Sequence, residues 1–405
     1  MTTAPTVWSL LRESRGFRLL WAGTVVSFLG DWLTTVAVLT LIEEFSSASI
    51  WVSLSLVAKT LPIFLIVPVA GPLADRLDRR QILIVTDLLR VALVQGMIIA
   101  YWLGSLPWVL ILLTLRSFVG GCFIPARSAA IPDLVQSDRY LPAAMSLMGA
   151  TWSVMLALGA ALGGLITAGL GVTGALVVDA LTFLVSAAIL WGLPELPPDE
   201  HGASHDTRFR AGLAYLKGRP YLTAVLLLKP SLFVTGAMLV LLPVFANGSY
   251  FPGWSGPLWL GALYTARGLG PALGSLGLRR WIGDSTRTLQ RAILGGYLLI
   301  AISDVAMAFS PTFPLAAVTV FTAMIGSGII WPFAGTLGQL ATERQVRGRL
   351  FALEFGITML SSSACFVIVG ALLDAGVTPR TMMLAIAGIT LLPMLGWAAV
   401  LRVTG

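Results

Sequence analysis

Residues 71–83 read GPLADRLDRRQIL, from Gly71 to Leu83. Two acids, Asp75 and Asp78, and three arginines, Arg76, Arg79 and Arg80, crowd into this stretch. It is flanked by apolar runs at 50–71 and 82–103, each long enough for the roughly 20 residues of a membrane-spanning helix. A knot of charge between two such runs is a loop at a membrane surface. Outward from it the pattern repeats, and twelve apolar segments emerge: 17–41, 50–71, 82–103, 106–127, 141–168, 172–193, 222–245, 256–278, 289–309, 312–336, 348–373 and 380–402. Of the 405 residues 57% are apolar and 11% charged, with a mean hydropathy of +0.89. A soluble domain carries about 25% charge, so this composition excludes a water-soluble globule, a disordered chain and a fibre. An all-α polytopic membrane protein is expected. Cys122 and Cys365 both lie in apolar runs, which argues against a disulfide framework or a thiolate metal site.

The charges are sorted by side. One set of alternate connections holds Arg12, Arg15, Arg18, then Arg76, Arg79, Arg80, then Arg139, then Arg208, Arg210, Lys217, Arg219. The same set continues with Arg279, Arg280, Arg287, then Arg344, Arg347, Arg349, and ends with Arg402. The opposite set contains only Arg380, at its edge. Basic loops stay in the cytoplasm, so both termini are expected inside a plasma (inner) membrane. The net charge of +7 is explained by this sorting, and no nucleic-acid partner is expected.

The longest connection, 194–221, divides the chain into a six-helix bundle at 1–193 and another at 222–405. It opens on Pro194, Pro197 and Pro198, which stop a helix. Phe209, Leu213 and Leu216 against Arg210, Lys217 and Arg219 then form a short amphipathic stretch suited to the cytoplasmic membrane surface. His201 and His205 share this loop, but no carboxylate or thiol cluster joins them, so neither a metal nor a cofactor is expected. The halves also echo each other: Gly274 to Arg280 follows the eighth segment as Gly71 to Arg80 follows the second. Such a repeat is one known transporter design.

At this point the motifs acquire a family. GPLADRLDRRQIL resembles the loop signature G-x-L-A-D-R-x-G-R-R-x-x-L of the major facilitator superfamily, with Asp78 in place of the usual glycine. Leu113, Arg116, Val119, Gly120 and Gly121 resemble its second motif, with an intramembrane arginine. Gly159, Ala160, Ala161, Leu162, Gly163 and Gly164 resemble the antiporter motif G-P-x-x-G-G, with Ala160 where the family has proline. RLLWAGTVVSFLGDW at 18–32 and IPARSAAIPDLV at 124–135 resemble the branch of macrolide and siderophore exporters and the lysophospholipid transporter. The resemblance implies twelve helices in two pseudo-symmetric bundles, alternating access, a small-molecule substrate, a proton or other coupling ion, and function as a monomer.

The residues themselves suggest roles. Gly71, Asp75, Arg76, Arg79 and Arg80, with Asp133 as an added partner, can form an ion-pair latch that closes the cytoplasmic side in one state and opens in the other. The competing reading is a set of topology-setting charges, which accounts for the arginines but not for Asp75, since acids contribute little to orientation. Ionisable groups within spans are costly and face a wet path or each other. Asp31, Lys59, Arg116, Lys229, Arg267 and Glu354 lie in segments one, two, four, seven, eight and eleven, which the resemblance places around a central cavity. Asp31 belongs to a small or polar stripe of Gly23, Ser27, Gly30 and Thr34, expected to face that cavity, and Glu354 starts another with Thr358. Substrate contacts are expected from Lys59, Lys229, Arg267, Ser27, Thr34 and Thr358. The competing reading is buried ion pairs that serve packing alone. Asp87, Arg90, Asp179 and Asp304 fall in segments taken as peripheral, with a structural role. Gly159, Gly163 and Gly164 read first as close helix packing.

No phosphate-binding loop of the G-x-x-x-x-G-K-[ST] type and no Ser/His/Asp set occurs, so neither an ATPase nor a hydrolase is expected. Energy is then expected from an ion gradient, or transport is simply downhill. Burial penalises the charged form of a carboxylate, which makes Asp31 and Glu354 proton-carrier candidates, with Arg116 setting their electrostatics. A proton-coupled exporter of amphipathic small molecules is the leading reading. A transporter of a lysophospholipid or another anionic metabolite is the second, because basic groups outnumber acids among these central residues. A non-transporting membrane protein is the third.

Overall fold

The computed structural model describes residues 7–135, 137–197, 215–247, 250–274 and 285–404, and the elements named within them are all helical. In chain order they are α1 (Val7–Glu13), α2 (Arg15–Phe45), α3 (Ser49–Arg76), α4 (Arg79–Trp102), α5 (Leu106–Leu134) and α6 (Leu141–Leu190). There follow α7 (Pro220–Thr235), α8 (Met238–Ala246), α9 (Pro257–Ala272), α10 (Thr286–Ala308), α11 (Phe313–Ala341), α12 (Arg344–Asp374) and α13 (Pro379–Thr404).

Among the described residues nine helices are long and apolar enough to cross a membrane: α2 to α6 and α10 to α13. The difference from twelve apolar segments has physical causes. Segments 141–168 and 172–193 run together as α6, whose 50 residues are broken only at Gly171, with φ of 70° and ψ of 179°. Fifty residues give about 75 Å of helix, far beyond the ~30 Å of a hydrocarbon core. Only glycine takes such a φ without strain. Segment 222–245, expected as one helix, is two shorter ones, α7 and α8, separated at Gly236 and Ala237. Segment 256–278 is described as the 16-residue helix α9, too short to count as a span; its last residues, 275–278, and Arg279 and Arg280 after it lie outside the described residues. So do His201, His205 and most of the expected amphipathic stretch.

The helix ends are set locally. Ser14 caps α2 by accepting from the Phe17 amide at 3.1 Å, and its hydroxyl donates to the Leu134 carbonyl. Asp78 caps α4, accepting from the Arg80 and Gln81 amides at 2.8 and 3.3 Å. This explains why an acid at that position is tolerated: a side-chain oxygen at a helix start satisfies orphan amides.

The chain packs as two compact units, Met1–Ser46 with Ala58–Ser204, and Ser47–Val57 with His205–Gly405. The division falls inside the expected linker, but residues 47–57, expected with the first bundle, group with the second unit. In the first unit α2 lies along α6, and Phe17, Leu20, Leu83, Phe123, Ile131 and Leu190 form part of a buried apolar core. In the second, Val225, Ile293, Tyr297, Phe333, Leu337 and Trp397 join α7, α10, α11 and α13. Large apolar side chains stay exposed along the helices, among them Leu88, Leu89, Trp102, Leu165, Ile302 and Leu392. Apolar side chains left exposed on the outside of apolar cores suit a lipid surround.

Candidate functional site

Charged side chains of four helices converge inside the first unit. On α2, Asp31 presents its carboxylate to Arg116 of α5, Oδ1 to Nη2, at 3.0 Å. The same guanidinium reaches Asp179 of α6 at 3.3 Å. Arg90 of α4 meets Asp87 at 3.4 Å, approaches Asp31 at 4.0 Å, and donates to the Ser27 hydroxyl at 3.1 Å. Three carboxylates thus share two guanidiniums. Glycines make the approach possible. A Cβ on Gly120 would stand 2.6 Å from Arg90 Nη2, and one on Gly30 would stand 2.6 Å from Asp179 Oδ1. Phe183 lies under both guanidiniums, 5.1 Å from Arg90 and 5.0 Å from Arg116, a cation–π setting that steadies desolvated cations.

Access separates the acids. The side chains of Asp87 and Asp179 are 0% exposed, whereas that of Asp31 is 31% exposed. Asp31 is thus the one acid of this cluster, among the described residues, with an exposed side chain. Lys59 of α3 lies alongside, its Nζ donating to the Thr35 hydroxyl and to the Asp31 backbone carbonyl at 3.4 Å, over the Trp32 ring.

The stripe of Gly23, Ser27, Gly30 and Thr34 has a different orientation from the one expected. Gly23 packs on Leu190, Gly30 on Thr182 and Asp179, and the Ser186 hydroxyl donates to the Gly23 carbonyl at 3.0 Å. Ser27 and Thr34 are 0% exposed. Small residues let α6 close onto α2, so this face is a helix seam and neither side chain opens onto free space. Gly159 and Gly163 form another close approach on α6: a Cβ there would meet Trp32 Cβ at 2.7 Å and Leu33 Cα at 3.0 Å. Gly164 is buried in the same helix.

In the second unit Lys229 of α7 and Glu354 of α12 form an ion pair at 3.0 Å. The ammonium also lies 5.3 Å from the Trp331 ring and 5.4 Å from Phe351. The Thr358 hydroxyl is buried and donates back to the Glu354 carbonyl at 2.7 Å. Arg267 sits one turn after the buried Tyr264 on α9.

The charged loop at 71–80 is partly assembled. The buried Arg79 pairs with Asp133, at the end of α5, and its amide donates to the Leu196 carbonyl at 3.1 Å. Arg80 donates to the Trp191 carbonyl at 2.6 Å. Asp75 is half-buried on the last turn of α3, and no ion pair of its carboxylate occurs among the described residues. A Cβ on Gly71 would stand in open space, and Arg76 is exposed at the helix end.

Sequence reasoning set Asp87, Arg90 and Asp179 apart as peripheral, yet they belong to the Asp31–Arg116 cluster. The i, i+3 spacing of Asp87 and Arg90 was the available signal, since it places both charges on one helix face. It also passed over Arg127, whose guanidinium carbon lies 4.9 Å from the Phe28 ring centre.

The comparisons with known proteins follow this geometry. The family model described as transmembrane secretion effector matches residues 5–404. An MFS-type transporter, YfiS of Bacillus subtilis (strain 168), is 30% identical over 54% of this chain, which spans about half (53%) of that relative's length. The multidrug efflux pump Tap of Mycolicibacterium fortuitum is 24% identical over 85% of this chain and 86% of its own. Among solved structures, an auto-inhibited peptide transporter of the POT family aligns with a TM-score of 0.75 at 12% identity, covering 96% of this chain and 97% of that one.

Proposed function

Because this chain belongs to the transmembrane secretion effector family of major facilitator transporters, we propose that it exports amphipathic small molecules by alternating access, driven by protons. The family is one of integral membrane transporters and not of enzymes. The finer reading is a twelve-span protein in two six-helix bundles, in the plasma (inner) membrane with both termini cytoplasmic, active as a monomer. Its support is the sorting of Lys and Arg between alternate connections and the length of α6, long enough for two crossings.

One observation carries the coupling. Asp31 pairs with Arg116 in a cluster with more carboxylates than guanidiniums, and it is the accessible acid there. A proton on Asp31 releases Arg116 wholly to Asp179, and loss of that proton restores the pair. Two arrangements of one buried network are a bistable element that a proton can bias. Glu354, paired with Lys229, is the second carrier candidate. Lys59 and Arg267 remain substrate-contact candidates, and export of drug-like cargo takes its support from the similarity to the efflux pump Tap.

The test uses inverted membrane vesicles containing the full chain, an imposed proton gradient, and a panel of competitors against ethidium. Gradient-dependent ethidium uptake that an uncoupler abolishes is the expected result. Uptake that ignores the gradient overturns proton coupling, and no uptake of any panel member above empty vesicles overturns the exporter reading.

A further inference from the structure

Arg127 stands in contrast to its two neighbours. It lies on α5, eleven residues after Arg116, which at 100° per residue returns to nearly the same helix face about 16 Å further along. Arg116 is matched by Asp31 and Asp179, and Arg90 by Asp87 and Ser27. Around Arg127 no carboxylate lies within ion-pair distance among the described residues. Its Nε and Nη1 are buried and without hydrogen-bond acceptors. The guanidinium carbon lies over the Phe28 ring of α2, 4.9 Å from its centre. The residue ends the apolar segment 106–127 and stands seven residues, or about 10 Å, before the end of α5.

We propose that Arg127 is an anion-binding residue, and that its forked donors take an anionic oxygen group such as a carboxylate, phosphate or sulfonate. A guanidinium is the side chain best shaped for this, because two parallel N–H groups match two oxygens of one anion. Phe28 supplies an apolar face beside it, so an amphipathic anion with its apolar part on the ring satisfies both. The three acids of the Asp31 cluster are engaged with Arg90 and Arg116, and none of them pairs with Arg127. The anionic group belongs either to the exported cargo or to a lipid headgroup. The inference names the charge class of the proposed exporter's ligand and so rests on that reading for its biological meaning, while the binding itself is measurable without transport.

The probe pair is dansylglycine and its neutral amide, which share a fluorophore and differ in charge. Binding to the purified full chain in dodecyl maltoside is read by energy transfer from tryptophan. The wild type is expected to prefer the carboxylate about tenfold, the ratio of a single charge-assisted contact. R127Q should abolish the preference. R127K, which keeps the charge but loses the fork, should reduce it at least threefold, and it serves where R127Q fails to fold. Equal binding of the two probes by wild type, or an undiminished preference in either folded variant, overturns the proposal.

The same titration in nanodiscs of phosphatidylcholine, with and without phosphatidylglycerol, separates the sources. Selective loss of dansylglycine binding with phosphatidylglycerol places a lipid phosphodiester on Arg127; unchanged binding places the cargo's anion there. Ethidium transport by the wild type is scored apart from this. A protein that takes up no member of the competitor panel yet keeps an Arg127-dependent preference contradicts the exporter reading and leaves the anion site standing.

Discussion

Asp31 on α2 and Arg116 on α5 meet at 3.0 Å, and the same guanidinium holds the fully buried Asp179 at 3.3 Å. An accessible acid and a dry one therefore share one cation. Arg116→Gln leaves both without it, and breaking a buried pair from one side costs about 3–5 kcal/mol. The variant should melt well below wild type in detergent. Arg116→Gln combined with Asp31→Asn should recover part of the loss, since one stranded charge is removed. A double variant that melts lower than Arg116→Gln alone would show that the two residues do not act as a pair.

The second unit holds a simpler version, Lys229 with Glu354 at 3.0 Å, side chains 12% and 5% exposed. Glu354→Gln strands a buried ammonium and should destabilise by about 3 kcal/mol, whereas Lys229→Met with Glu354→Leu should lie close to wild type. Thermal denaturation of the three proteins decides. A single variant as stable as wild type would mean the ion pair is solvated in the folded protein.

The all-helical membrane class was legible from hydropathy and from the sorting of Arg and Lys, because backbone satisfaction in lipid leaves few alternatives. What sequence could not supply was which face of each helix met which neighbour. Gly23, Ser27, Gly30 and Thr34 read as a cavity stripe, but Gly23 and Gly30 line a seam with α6 and Ser27 meets Asp87 and Arg90 of α4; small residues suit both uses. Asp87, Arg90 and Asp179 looked peripheral because segment number, rather than contact, was the guide. Asp31, Arg116, Lys229 and Glu354 were picked out by charge at membrane depth, and two ion pairs hold all four.

The charged loop separates stability from turnover. Arg79 is buried against Asp133, while Asp75 makes no ion pair among the described residues. Asp133→Asn should destabilise the fold by about 1–2 kcal/mol, for one partly exposed charged contact, and so lower the melting temperature. Asp75→Asn should leave melting unchanged and still cut transport at least tenfold, because the latch reading places its partner in another conformation. Normal transport by Asp75→Asn would reduce the loop to a topology signal.

Two glycines of α6 make a matched comparison. A Cβ on Gly163 would press on the Leu33 backbone at 3.0 Å, and one on Gly149 would meet nothing within 4 Å. Gly163→Ala should destabilise by about 1–3 kcal/mol through overpacking, and Gly149→Ala should be neutral or stabilise by up to about 1 kcal/mol through helix propensity. Equal melting temperatures for the two variants would show that the α2–α6 seam yields to an added methyl.

Asp31→Asn tests proton coupling most directly, because it keeps the shape of the side chain and removes its titration. In inverted vesicles with an imposed proton gradient, the variant should fail to concentrate ethidium yet still exchange labelled for unlabelled ethidium at equal concentrations on the two sides. Its residual movement should be flat with pH across the range where the wild type varies. A variant that still concentrates ethidium with the wild-type pH dependence would make Asp31 a packing residue and pass the carrier role to Glu354.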